Sequence, residues 1–212
     1  MRTLLCYGDS NTHGTRPMTS LAGNGRFPRD QRWTTRLAGL LPDWEVIAEG
    51  HPGRTVLHDD PVEGAHRNGM RVLPAILESH KPIDLVLLML GTNDLKQRFS
   101  VSAMDIALSL EAMIRVIRRS ETGPGGAAPQ VLLVAPPPIL ETGCLAEIFA
   151  GGAAKSQGLA ARIATVAQRQ GVGFLDAGQV VSVSPVDGIH YEPEAQPALA
   201  QAFAAAIRGL CP

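Results

Sequence analysis

Five short apolar runs punctuate the chain, at 3–7, 44–49, 85–90, 131–135 and 172–175. The third, Leu85-Val86-Leu87-Leu88-Met89-Leu90, is apolar at every position. A strand with one wet face shows a polar residue at every second position, so an unbroken run suits a central parallel strand covered on both faces. Between the runs the period changes. Over 102–119, Ile106, Leu110, Met113, Ile114 and Ile117 fall at separations that trace one stripe of a helix, and from about residue 194 Leu199, Phe203, Ile207 and Leu210 do the same. Further helices are predicted at 33–41, 70–79 and 153–169, the first stopped by Pro42 and the third by Gly171. Strands alternating with longer helices predict an α/β fold of three layers, α/β/α, around a five-stranded parallel sheet.

Two segments stand outside this rhythm: 16–30, with Pro17, Gly23, Gly25 and Pro28, and 136–152, which opens on three consecutive prolines. Three prolines fix φ and remove three backbone donors, so the chain must leave the sheet there as a stiff extended piece. Both segments are expected to wall a pocket or form a subunit contact, the latter making a homo-oligomer. Neither a repeat nor a Ser/Gly linker divides the sequence, so 1–212 reads as a single domain. A domain of this length buries about 70% of the surface its unfolded chain exposes and needs no metal or disulfide to hold it.

Composition narrows the function. Nineteen basic and 20 acidic residues give a net charge of -1, which offers no footprint for nucleic acid or an anionic membrane and leaves a small molecule as the expected partner. The longest apolar run is far below the roughly 20 residues that span a bilayer, and the residues before Gly8 are too few for a secretion signal. Cys6, Cys144 and Cys211 are odd in number and lack metal-ligand spacing, which points to free thiols in the cytoplasm.

In an open parallel sheet the ligand crevice lies beyond the carboxyl ends of the strands, so residues just after each run are the first to inspect. They are Gly8-Asp9-Ser10-Asn11, Gly50-His51-Pro52-Gly53, Gly91-Thr92-Asn93-Asp94 and, after the fifth run, Asp187-Gly188-Ile189-His190. A serine hydroxyl is a poor nucleophile at neutral pH; it needs a base and donors for the developing oxyanion. Ser10 sits where a strand turns toward a helix. Gly53 has no Cβ to obstruct a backbone N–H, and Asn93 offers an amide donor that cannot ionise. His190 is the candidate base, and Asp187, three residues earlier, can turn back to hold its Nδ1–H through a tight turn eased by Gly188. Asn11, His13, Pro138 and Ile189 are the candidate substrate-binding residues. No metal or cofactor is expected.

Each block alone is a weak signal. Gly-Asp-Ser is a common turn, Asp187 could cap a turn while His190 packs on the last helix, and Gly91-Thr92-Asn93-Asp94 could merely end a strand. His51, His58, His66 and His80 read as surface or hydrogen-bonded groups. A flavin- or phosphate-binding module could cradle its ligand on 10–15, although Asp9 and a total of nine aromatics argue against it. A metal-dependent deacylase on Asp9, His51, His58, Asp59 and Asp60 lacks the His-Glu-x-x-His spacing. The Gly-x-Ser-x-Gly elbow of α/β-hydrolases is absent around Ser10.

Taken together and in this order, the four blocks resemble the SGNH hydrolases, also called GDSL esterases and lipases, and the resemblance runs from Gly8 to His190. It implies the SGNH fold, a flavodoxin-like five-stranded parallel sheet, with the nucleophile at Ser10, the oxyanion hole at Ser10, Gly53 and Asn93, and the acid and base at Asp187 and His190. It also implies a serine esterase for short, acetyl-type esters such as aryl or carbohydrate acetyl esters, with acyl transfer to alcohols; lysophospholipase or thioesterase chemistry is the alternative within the family. Asn11 replaces the leucine of the GDSL name, 49–55 lacks the common Asn-x-Gly opening, and His13 stands where relatives carry an aromatic.

Overall fold

Every residue of the strand Leu85–Met89 is buried, and that follows from its place at the middle of the sheet. In a computed structural model, which describes residues 1–23 and 25–211, the chain forms β1 Arg2–Gly8, α1 Ser10–His13, α2 Trp33–Leu40, β2 Trp44–Gly50, α3 Gly69–His80, β3 Leu85–Met89, α4 Ala103–Arg118, β4 Gln130–Ala135, α5 Gly152–Gln157, α6 Leu159–Gln170, β5 Gly173–Asp176 and α7 Ala195–Leu210. Asn24, within the irregular 16–30 segment, and Pro212 lie outside the described residues. All four strand pairings are parallel, and the order is β2-β1-β3-β4-β5. This is the flavodoxin-like order, whose switch point falls between β1 and β3.

Alternation along β1 sorts the core into two layers. Leu4 and Cys6 join Trp33, Leu37, Phe203 and Ile207 beneath α2 and α7. Leu5 and Tyr7 face the other way, against α3, α4 and α6, with Leu73, Ile106, Ile114 and Ile163. The three-layer architecture is therefore as the periodicity predicts. Trp33 meets Phe203 edge to face at 4.8 Å, and its indole N–H donates to the Asn11 carbonyl at 2.9 Å, tying this layer to α1.

Two elements differ from the pattern. The helix predicted over 153–169 is divided into α5 and α6 at Gly158, because a residue without a side chain lets the axis turn while apolar spacing continues on both sides. The block at 187–190 does not follow β5 directly: the strand ends at Asp176, and a turn over Ala177–Gln179 and an irregular stretch intervene. Ser102 caps α4 in a reciprocal box with Asp105. Among the described residues, no helix is long and apolar enough to cross a membrane.

Candidate active site

The site begins where β1 ends. Asp9 caps the single turn of α1, its carboxylate accepting from Asn11 N at 2.9 Å, and this places Ser10 at the first helical position above the carboxyl edge of the sheet. The end of β2 passes so near that a Cβ on Gly50 would lie 2.1 Å from His13 N, so glycine there permits the approach of β2 to the serine-bearing turn. Arg54, buried, donates from one guanidinium nitrogen to Gly8 O at 2.8 Å and to Glu49 O, and lies 4.2 Å from the Tyr7 ring centre. The ends of β1 and β2 are thereby locked to each other.

On the far side, Asp187 folds the 187–190 turn around its own carboxylate. Oδ1 accepts from Ile189 N at 3.0 Å and His190 N at 2.9 Å, while Oδ2 accepts from Met18 N at 2.7 Å. Gly188 takes φ 75°, and a Cβ there would sit 2.0 Å from Leu140 O. Both irregular segments thus clamp this turn: 16–30 through Met18, and 136–152 through Leu140, whose N–H donates to Gly188 O at 2.9 Å.

His190 Nδ1 lies 2.6 Å from Asp187 Oδ2, and Nε2 lies 3.0 Å from Ser10 Oγ. All three residues are buried. A carboxylate against Nδ1 places the ring proton there and leaves Nε2 to accept from the serine hydroxyl. Burial works to raise the Asp187 carboxyl, but hydrogen bonds from His190 and Ile189 hold it below the ordinary carboxylate value. It stays anionic at neutral pH.

Ser10, Gly53, Asn93, His190, His13 and Ile189 all line one cavity of about 610 Å³. The two loops contribute Met18, Leu21, Gly23, Leu145, Ile148 and Phe149 to it, so both wall the pocket. Gly53 has φ 75°, a conformation that a side chain would strain. The Asn93 amide nitrogen donates to Asp9 Oδ2 at 3.4 Å. Two of the expected substrate-binding residues stand elsewhere: the buried Asn11 spends its amide on Ile189 O at 3.2 Å, and Pro138 packs beside Gly178, which sets both behind the wall rather than in it. Of the side chains weighed for a metal, Asp9, His58, Asp59 and Asp60 have other partners. His58 and Asp94 lie 2.9 Å apart, Asp59 pairs with Arg71, and Asp60 with Lys96 and Arg98; among the described residues no group of three or more is placed to hold an ion.

Sequence reasoning did not single out the residues that hold these pieces in place. Asp94 accepts twice from Val56 N, at 3.1 and 3.0 Å, joining the loop after Gly53 to the turn that bears Asn93. Its place inside the Gly91-Thr92-Asn93-Asp94 block was the available signal. Arg54, Met18 and Leu140 had none, because each acts through contacts made across long sequence separations.

A model of the GDSL-like lipase/acylhydrolase family matches residues 6–210. The chain belongs to that family. The hydrolase is 40% identical to the native aryl esterase of M. smegmatis, over 99% of this chain and all of that one (100%), with a TM-score of 0.94. It is 37% identical to Est24, a carbohydrate acetylesterase from Sinorhizobium meliloti, with the same coverage of 99% and 100% and a TM-score of 0.94. A lipase/acylhydrolase from Enterococcus faecalis shares the fold alone, at 19% identity and a TM-score of 0.70 over 99% of this chain and 97% of that one. No curated protein sequence matches the chain. Membership makes the protein a hydrolase of carboxylic esters built on the SGNH fold.

One ionisation in the site gives a measurable sign. Burial pushes Asp9 up to about 6, against the pull of Asn11 N–H, His190 and Arg54. Between its ordinary value of 3.8 and about 6, the folded hydrolase keeps a proton on Asp9 that the unfolded chain has released, so this group's contribution to stability worsens as pH rises through that window. The melting temperature of wild type, measured relative to Asp9→Asn, is expected to fall across the same window. A difference that stays constant with pH rejects the assignment.

Proposed function

We propose that the hydrolase is a serine esterase of short, acetyl-type esters of aryl or carbohydrate alcohols, acting through Ser10, His190 and Asp187 and an acyl-enzyme. The observation that carries this is the unbroken chain of contacts from Ser10 Oγ to His190 to Asp187, opening on a cavity that Gly53 and Asn93 also line. Ser10 Oγ attacks the ester carbonyl carbon as its proton passes to His190 Nε2. The carbonyl oxygen becomes an oxyanion, received by the N–H groups of Ser10 and Gly53 and the Asn93 amide. Asp187 steadies the imidazolium. Collapse breaks the bond to the alcohol oxygen, which takes the Nε2 proton and departs. Water then adds to the acyl-enzyme, gives its proton to Nε2, and the carboxylic acid leaves as Ser10 Oγ takes that proton back. An alcohol in place of water yields a new ester.

The preference for small acyl groups is supported by likeness to an aryl esterase and a carbohydrate acetylesterase, and by a cavity that must hold both halves of the ester. The three unpaired thiols support a reducing, cytoplasmic setting. Purified protein treated with a fluorophosphonate is expected to carry one adduct on the Ser10 peptide. In a series of nitrophenyl esters from acetyl to dodecanoyl, kcat/KM is expected to be highest for the shortest members. An adduct on another residue rejects the serine mechanism, and a maximum at long chains moves the substrate class to lipids.

A further inference from the structure

One stretch of the cavity wall is ionic in a lining that is otherwise largely apolar. Glu63, Arg67, Lys96 and Arg98 line the cavity that holds Ser10, and Asp60 lies fully buried behind them. Lys96, only 4% exposed, places Nζ 2.5 Å from Glu63 Oε1 and 3.3 Å from Asp60 Oδ2. Arg98 reaches Asp60 Oδ1 at 2.9 Å and Glu63 Oε1 at 3.7 Å. Asp60 Oδ1 also accepts from Val62 N and Glu63 N, both at 2.9 Å, so that oxygen is fully engaged. Arg67 Nε stands 3.5 Å from Glu63 Oε2 without the alignment of a hydrogen bond, and is buried with no other partner among the described residues.

Three cations therefore face two carboxylates, and one positive charge is left over on the cavity that the candidate nucleophile also lines. Ion networks taken out of water cost free energy that an apolar wall would not, so a surplus charge here favours a ligand that completes it. A further cation stands against the cavity residue His13, whose carbonyl accepts from Arg26 Nε at 2.7 Å. His13, on the cavity, is pushed down to about 4 by burial together with Arg26 and Arg32. His51 is likewise held at about 4 by burial together with Arg54 and Arg67. The whole chain has a net charge of -1, so this concentration of cations is local. A cleft with low-dielectric walls focuses such a field on whatever enters.

We propose that the substrate carries a carboxylate, seated against Arg67, Lys96 and Arg98, in addition to the ester that Ser10 attacks. The inference rests on the esterase reading above, and the chemistry at the ester is unchanged by it. The carboxylate could belong to either half of the substrate, and two arms separate these cases. In the alcohol arm, 3-acetoxybenzoate is compared with 3-acetoxybenzamide; in the acyl arm, mono(4-nitrophenyl) adipate is compared with 4-nitrophenyl adipamate. For wild type at low ionic strength, kcat/KM is expected to favour the carboxylate by about tenfold in one arm, the effect of one charge-assisted contact. The ratio should shrink as salt is raised. Arg98→Gln and Lys96→Met should each abolish the preference, with Arg98→Lys retaining part of it.

A ratio at or below one in both arms, with phenyl acetate still hydrolysed, overturns the carboxylate subsite alone. Absence of phenyl acetate hydrolysis by wild type overturns the esterase reading instead. A preference untouched by Arg98→Gln and by Lys96→Met overturns the subsite as well. Should those variants fail to fold by circular dichroism, inhibition of wild type decides: benzoate must compete with phenyl acetate more strongly than benzamide does, and equal or weaker inhibition overturns the subsite.

Discussion

Ser10→Ala is expected to lower kcat on phenyl acetate by about a million-fold while leaving the fold intact, the loss seen when one member of a serine triad is removed. The hydroxyl is the only group deleted, and among the described residues its partner is His190 Nε2 at 3.0 Å. The caps that shape α1 come from Asp9 and from backbone groups, so the turn survives the change. With Oγ gone, a residual rate above water of about a thousand- to ten-thousand-fold remains from oriented donors and binding. Steady-state rates on active-site-titrated protein, with circular dichroism as the folding control, measure this. Activity within tenfold of wild type would end the serine mechanism.

Asp187→Asn is expected to reduce kcat by about ten-thousand-fold with the geometry of the ring little changed. The carboxylate accepts four N–H groups at once: Met18 N and His190 Nδ1 on one oxygen, Ile189 N and His190 N on the other. An amide can turn only one oxygen toward these donors. If its oxygen keeps the two turn N–H groups, its NH2 faces Met18 N and Nδ1, which forces the imidazole to the tautomer that presents Nε2–H to Ser10. A protonated Nε2 cannot take the serine proton. Because a buried donor is also left without an acceptor, about 1–3 kcal/mol of stability should go with it. Thermal denaturation and kcat measured on the same preparation separate the two effects. A variant with full kcat would exclude Asp187 from orienting the base.

Both predictions rest on contacts that had been partly legible. The apolar run at 85–90 announced a strand buried on both faces, and the stripe at Ile106, Leu110, Ile114 and Ile117 announced a cover helix, because burial imposes its period on the side chains. The four blocks marked Ser10, Gly53, Asn93, Asp187 and His190 as candidates because crevices form at strand ends. The boundary at Gly158 was not legible, since apolar spacing continues on both sides of it. Asn11 and Pro138 were misplaced for a related reason: adjacency in sequence to a site residue says nothing about which way a side chain turns, and α1 directs Asn11 inward to Ile189 O.

What the sequence determined by itself is the alternation of strand and helix, the family, and the chemical types available at the strand ends, all of which depend on local period and residue identity. What only the tertiary structure decided is their convergence. Met18 and Leu140, from two segments outside the predicted strands and helices, clamp the turn that aims His190 at Ser10. Glu63, Arg67, Lys96 and Arg98, drawn from separate stretches, meet on one wall of the cavity with Asp60 behind them. Such contacts depend on distances closed by the packing of two helical layers onto the sheet, and no local pattern in the chain encodes a distance.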